Sequence, residues 1–334
     1  MHAVFLDQQT FGSDISLQAI QQQVESLTCF STTSAEQIVT RCRDAEVVIT
    51  NKVILNAAIL QQLPRLKLVC IAATGTNNVD LNAAIQLGIA VNNVSGYASA
   101  SVSQYVFAQM LEHFNQTNHH NDNTIQGLWQ KSPIFCHHGN GISELSGKNL
   151  GIIGYGNLGQ AVAKIGQAFG MHILIAERPK SSSIRSGRLS FEQVLAQADV
   201  LSLHCPQTPE TENLINSHTL SLMKPSVMLI NTARGALVNN NDLLMALKTG
   251  QIGYAVLDVL EQEPPPANHV LLQAMSGKQS YPLQNKLKIT AHIAWASHES
   301  QQRLIDLIAD NIAKFKAATN DLQHQKQVKI DWRK

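Results

Sequence analysis

The feature that most constrains the fold is the run Gly154-Tyr155-Gly156-Asn157-Leu158-Gly159. Residues 150–153 before it are apolar and read as a strand, and residues 160–169 after it read as a helix. Glycines at this spacing between strand and helix form the fingerprint of a dinucleotide-binding βαβ unit. The first allows the tight turn, the second lets a pyrophosphate approach the backbone, and the third lets helix and strand pack closely. The phosphates then rest on the positive end of the helix, against N–H groups that have no partner within it. Eighteen residues past Gly159 the next strand candidate ends in Glu177, where an acid that accepts hydrogen bonds from the ribose hydroxyls is expected. A carboxylate there repels a 2′-phosphate, so NAD is expected ahead of NADP. Arg178 beside it pulls the other way, because arginine is the usual partner of that phosphate.

The rest of the chain repeats the alternation of short β-branched runs and helical stretches, the pattern of parallel sheets covered by helices. Strand candidates in the first part are residues 3–6, 47–50, 68–72 and 89–92, with helical pieces at 34–43, 56–62 and 82–87. Val102, Val106, Met110 and Leu111 give residues 99–114 a helical spacing. Residues 115–146 are polar and without a period, which predicts an irregular arm. A second series follows, with strand candidates at 149–153, 172–175, 200–203, 227–230, 254–257 and 287–290, enough for a complete doubly wound sheet. An amphipathic helix is expected over 297–317, with Leu304, Leu307, Ile308, Ile312 and Phe315 on one face.

Composition removes other classes. At 334 residues the chain is long enough for two domains, and 44% hydrophobic residues supply a core. Lys plus Arg number 25 against 24 Asp plus Glu, so no net field draws the chain to nucleic acid or anionic lipid. No run is apolar for the roughly 18 residues of a membrane span, and the first residues lack the pattern of a secretory signal. Five cysteines without a CxxC pair argue against a disulfide framework or a structural zinc site and for reduced thiols in the cytoplasm. His119-His120 and His137-His138 lack acidic or thiol partners at ligand spacing, so they read as exposed loop histidines and no metal is expected.

Three further segments carry the chemistry: Asn231-Thr232-Ala233-Arg234-Gly235, Leu257-Asp258-Val259-Leu260-Glu261-Gln262-Glu263-Pro264-Pro265 and Thr290-Ala291-His292-Ile293-Ala294-Trp295. Arg234 and His292 each follow a strand candidate, where ligand sites of parallel α/β sheets lie. Together with Thr74-Gly75-Thr76-Asn77-Asn78-Val79-Asp80 and Asn93-Val94-Ser95-Gly96-Tyr97, these segments resemble the signature motifs of the D-isomer-specific 2-hydroxyacid dehydrogenases. Within the family the look is nearest to glycerate dehydrogenases, also called hydroxypyruvate reductases. Ala291 departs from the proline that the family commonly carries before the histidine.

The resemblance implies an NAD-dependent oxidoreductase that reduces a small 2-keto acid, and it implies roles for residues. Arg234 holds the substrate carboxylate with its planar fork, His292 exchanges a proton with the keto oxygen, and Glu263 orients the imidazole. Thr74 and Val102 match positions near the nicotinamide or substrate; Asn157 and Leu158 lie under the pyrophosphate. Cys205, Thr232, Ala233, Asp258 and Ala294 line the cofactor together with Arg234 and His292, and Asp258 is expected to meet the carboxamide. Asn51, Thr74 and Gly75 face the substrate. Asn51 stands where phosphoglycerate dehydrogenases usually carry an arginine, which points to an unphosphorylated acid, hydroxypyruvate first and glyoxylate second.

The implied fold is α/β with two domains: a Rossmann doubly wound parallel sheet over residues 99–295, and a smaller flavodoxin-like substrate domain from residues 1–98 and 296–334. A homodimer formed through the cofactor domain and the 115–146 arm is also implied. The competing readings are a 3-phosphoglycerate or D-lactate dehydrogenase of the same family, and a non-catalytic NAD-sensing partner protein on the same fold. The complete Arg234, Glu263 and His292 set argues against the last.

Overall fold

A computed structural model describes residues 1–276, 283 and 285–331. The chain divides into two compact units, one of residues 1–98 and 296–334 and the other of residues 99–295.

The first unit is built on five parallel strands: β1 (His2–Phe5), β2 (Ser26–Cys29), β3 (Val47–Thr50), β4 (Leu68–Ile71) and β5 (Ala90–Asn92). Their order is β2-β1-β3-β4-β5, the flavodoxin-like doubly wound order. Every residue of β3 and of β4 is buried, as a sheet covered on both faces requires, and this is why those segments read as unbroken apolar runs. β2 escaped the sequence reading. It is an edge strand of four residues, SLTC, exposed at every second position and too polar to stand out. The closing helix His298–Asp331 packs on β4 and on helix Gln18–Gln21 through its apolar face, with Leu304, Ile305, Ile308 and Ile312 buried. It runs past the point at which its apolar period suggested an end.

The second unit carries six parallel strands: β6 (Asn149–Ile153), β7 (His172–Ile175), β8 (Val200–Leu203), β9 (Met228–Asn231), β10 (Tyr254–Leu257) and β11 (Leu287–Ile289). They lie in the order β11-β10-β9-β8-β6-β7. Leu189 forms a single parallel bridge to Ala176 just beyond β7, a one-residue remnant of the strand that flanks the second strand in the Rossmann order. Between β6 and β7 the helix Asn157–Ala168 packs against helix Ser99–Asn115, with Phe107 and Phe169 stacked at 5.4 Å between centroids. The expectation of an irregular arm over 115–146 needs correction at its start. Residues Thr117–Ile125 are helical although they bury only Asn123, so no apolar period announced them. His119 and His120 therefore lie on a helix rather than in a loop, and among the described residues no cluster of His, Cys, Asp and Glu could hold a metal ion. No helix among the described residues is long and apolar enough to cross a membrane.

Candidate active site

The glycine-rich turn between β6 and the helix Asn157–Ala168 fits a dinucleotide. Gly154 has a φ of +91°, and a Cβ on it would lie 2.5 Å from the amide nitrogen of Cys205. A Cβ on Gly159 would meet the carbonyl of Gly154, so helix and strand could not close as they do. Gly156 differs: nothing lies within 4 Å of where its Cβ would be, which leaves open space over the backbone at the first turn of the helix. Asn157 and Leu158 open that helix. At the end of β9 the hydroxyl of Thr232 is buried without a hydrogen-bond partner, an orphan a ligand can satisfy. Ala233 and Ala294 are buried, and Cys205 is half-buried with its thiol pushed up to about 11 by burial, so it stays neutral near pH 7. Burial likewise pushes the neighbouring His204 down to about 4 and removes it as a proton donor near neutrality.

Glu177 lies two residues beyond β7, and its carboxylate is already engaged. Arg185 reaches it with Nε at 2.7 Å and Nη2 at 2.5 Å, and the backbone N–H groups of Arg178 and Arg185 donate to it at 2.9 and 3.3 Å. The Arg185 guanidinium and these amides hold the Glu177 carboxyl well below the usual carboxylate range. Arg185 was missed by the sequence reading, although the charge run Arg178, Lys180, Arg185 and Arg188 marked the place.

The loops after β10 and β11 bring Glu263 and His292 together. His292 Nδ1 lies 2.6 Å from Glu263 Oε2, with the two side chains 25% and 32% exposed. Glu263 is itself held, since its Oε1 accepts from the backbone N–H of Leu260 at 3.0 Å. His292 has a φ of +54°, in the left-handed region that non-glycine residues seldom occupy and that recurs at functional sites. Asp258 sustains that conformation. Its carbonyl accepts from His292 N at 2.8 Å, and its carboxylate accepts from Thr290 Oγ1, Ile293 N and Ala294 N at 2.6, 2.9 and 2.8 Å. Asp258 is 1% exposed, and its carboxylate binds the histidine loop. Tyr105 Oη, 2.6 Å from Thr290 Oγ1, and Ser101 Oγ, which donates to Ala294 O at 2.7 Å, tie the same loop to helix Ser99–Asn115, on which Val102 is buried.

Arg234 is half-buried beside the end of β9 and donates from Nη1 to Ala233 O at 2.6 Å. The fully buried Asn231 fixes the turn, donating to Arg234 O at 2.8 Å and accepting from Ala233 N at 3.0 Å. Asn51, Thr74 and Gly75 belong to the first unit. The Asn51 backbone is bound to Asp7, while Thr74 Oγ1 donates to Val94 O at 2.9 Å and Thr74 O accepts from Asn93 Nδ2 at 2.6 Å.

Comparison with known proteins agrees with this geometry. The sequence profile described as "D-isomer specific 2-hydroxyacid dehydrogenase, NAD binding domain" matches residues 107–294. The chain belongs to that family. The glycerate dehydrogenase of Methylorubrum extorquens is 40% identical over 314 residues, 94% of this chain and 96% of that protein. The hydroxypyruvate reductase of Blautia hydrogenotrophica is 38% identical over 288 residues, 85% of this chain and 86% of its own length. Among solved structures, the D-lactate dehydrogenase of Aquifex aeolicus complexed with NAD and lactic acid superposes with a TM-score of 0.75 at 27% identity, covering 97% of this chain and 98% of the other. The protein is thus an NAD-dependent oxidoreductase of the D-2-hydroxyacid dehydrogenase class, acting on the CH–OH group of 2-hydroxy acids.

Proposed function

We propose that this dehydrogenase interconverts hydroxypyruvate and D-glycerate, with glyoxylate as the second substrate, and that Arg234, Glu263 and His292 carry the reaction. The reading rests on one observation above others, the 2.6 Å contact between His292 Nδ1 and Glu263 Oε2. With Nδ1 committed to the carboxylate, Nε2 is the nitrogen left to face a substrate oxygen. When bound, the nicotinamide supplies or accepts the hydride. His292 gives a proton to the keto oxygen in reduction and takes it back in oxidation. Arg234 keeps four of its five N–H donors after the bond to Ala233 O, enough to grip a carboxylate side by side. Thr232, Ala233 and Ala294 are the proposed wall at the nicotinamide end; Gly154, Gly156, Asn157, Leu158 and Gly159 are the proposed phosphate cradle.

The choice of hydroxypyruvate is supported by Asn51, which brings no cation to bind a substrate phosphate, and by the printed names of the two relatives. Catalytic efficiencies for hydroxypyruvate, glyoxylate, pyruvate and 3-phosphohydroxypyruvate under one set of conditions test it. Hydroxypyruvate is expected first; a win for the phosphorylated acid would sink the Asn51 argument. Residues 1–98 and 296–334 are the proposed substrate domain and 99–295 the cofactor domain. A homodimer through the latter is supported by the apolar side chains exposed in and after helix Thr117–Ile125, with Ile125 75%, Ile142 68% and Phe135 90% accessible. Sedimentation of the wild type and of Phe135→Asp checks that assembly. Five unpaired cysteines support a reducing, cytoplasmic setting.

A further inference from the structure

The adenosine end of the dinucleotide site has a feature that the fingerprint logic does not anticipate. A carboxylate offers about four lone-pair positions, and Glu177 has four donors on it. Oε1 accepts from Arg178 N and Arg185 Nη2, and Oε2 accepts from Arg185 N and Arg185 Nε. Its side chain is 3% exposed. Ribose hydroxyls would have to displace bonds already made to an ionised partner, which are among the stronger hydrogen bonds in proteins. The repulsion of a 2′-phosphate is blunted too, because the negative charge is neutralised in a bidentate pair.

What faces outward at this strand end is cationic. Arg185 uses two of its five N–H groups on Glu177, and its side chain is 54% exposed, so three donors remain in a fixed fork. Arg188 lies behind it, 3.9 Å from Glu177 Oε1 and donating to Ala176 O at 3.4 Å. Arg178 and Lys180 are exposed on the same loop. Residues 177–188 hold four cations and one anion, a net charge of +3 (4 − 1) on a chain whose total is +1.

We propose that Glu177 is the anchor that holds Arg185 as a receptor for a 2′-phosphate, so that the dehydrogenase takes NADP(H) as well as NAD(H). A planar guanidinium fixed by its Nε edge presents Nη1 and the outer Nη2 hydrogen to a phosphate in the geometry such groups share. Glu177 then serves as a positioning residue, and the exposed Arg178 and Lys180 add field without a set geometry. The inference rests on the dinucleotide reading of the 154–159 turn and is independent of the acid–base roles above.

The experiment is isothermal titration calorimetry of the whole enzyme with 2′,5′-ADP and with 5′-AMP, which differ only in the 2′-phosphate. Wild type is expected to bind 2′,5′-ADP more tightly. Arg185→Ala should weaken 2′,5′-ADP by about tenfold to hundredfold, the range of a hydrogen-bonded charge pair, and leave 5′-AMP within about threefold. Arg185→Lys keeps the ion pair with Glu177 but loses the fork, so it should move in the same direction even if the alanine variant does not fold. Glu177→Gln should leave 5′-AMP within about threefold, since no ribose bond is lost. The proposal is overturned if wild type binds 5′-AMP more tightly than 2′,5′-ADP. It is also overturned if neither arginine variant changes their ratio, or if Glu177→Gln weakens 5′-AMP about tenfold, the mark of a ribose acceptor. No keto acid enters the measurement, so such a result leaves the His292 assignment standing; a failure to bind either nucleotide removes the dinucleotide reading itself.

Discussion

In the first unit Asp7 follows β1, and its carboxylate collects the loop that leaves the neighbouring strand β3. In the second unit Asp258 follows β10 and does the same for the loop that leaves its neighbour β11. Asp7 accepts from Thr50 Oγ1 and from three successive amides, Asn51, Lys52 and Val53, at 2.7 to 3.3 Å, with Oδ2 taking a bond from each. Asp258 divides its load, with Thr290 Oγ1 and Ile293 N on Oδ1, Ala294 N on Oδ2 and His292 N on the main-chain carbonyl. Both side chains are buried, at 5% and 1% exposure. The loops they hold differ in one respect. No residue from 50 to 53 has a positive φ, whereas His292 sits at +54°. A left-handed non-glycine residue costs on the order of 1–3 kcal/mol and persists only where its surroundings over-determine it. Asp7 therefore shapes a relaxed loop that presents Asn51, and Asp258 enforces a strained one that presents His292. Under the proposed roles of Asn51 and His292, one buried carboxylate serves binding and the other serves chemistry.

The comparison breaks most visibly at His292. His292→Ala should lower turnover by roughly 10²- to 10⁴-fold, the usual span for a general acid–base residue. NADH binding, followed by the quenching of protein fluorescence, should survive. A variant that retains most of its turnover with its best keto acid takes the proton transfer away from His292, and with it the distinction between the loops.

Asp258→Asn comes next. It keeps the shape and one acceptor oxygen but loses the charge that holds three donors, and hydrogen bonds to a charged group are worth about 1.5–3 kcal/mol each. Part of that loss falls on the His292 geometry, so kcat should drop by about tenfold to hundredfold with a smaller change in KM. Thr290→Val removes a single donor and should fall between this variant and wild type. Unchanged kcat in Asp258→Asn would show that the loop holds its strained conformation without the carboxylate.

Asp7→Asn tests the other half. Because the loop around Asn51 is unstrained, it should loosen rather than collapse, raising KM for the keto acid by about tenfold and leaving kcat within about threefold. Steady-state kinetics at saturating NADH separate the two parameters. If kcat falls as far as in Asp258→Asn, the division of labour between the two aspartates is wrong.

How much of this was legible differs between the two halves of the device. The strands β6, β8 and β10 could be bounded from sequence, because parallel strands buried almost throughout are unbroken apolar runs between glycines and polar turns. The contact of His292 with Glu263 was legible through motif context, and the glycine turn through its spacing. The polar anchors were not. Asp7 lies 44 positions from Asn51, and Arg185 is one cation among several after β7, so neither has a period or a spacing that marks it. Glu177 shows the point most sharply: sequence placed it at the strand end, but only the fold reveals that Arg185 turns back onto it. Hydrogen-bond partners set by tertiary closure leave no local signature.

The smallest effect separates the buried carboxylates from the exposed one. Glu263 touches the imidazole directly, yet its side chain is 32% exposed and that of His292 is 25% exposed, so water screens the pair. Glu263→Gln keeps an oxygen near Nδ1 and should reduce turnover only several-fold, less than Asp258→Asn although Asp258 never meets the ring. Its clearer mark is in the dependence on His292. If Glu263 acts through the ring, Glu263→Gln should lower turnover in the wild-type background and leave the residual turnover of His292→Ala unchanged. An equal effect in both backgrounds would detach Glu263 from the proton transfer and leave it as a brace for the loop that begins at Leu260.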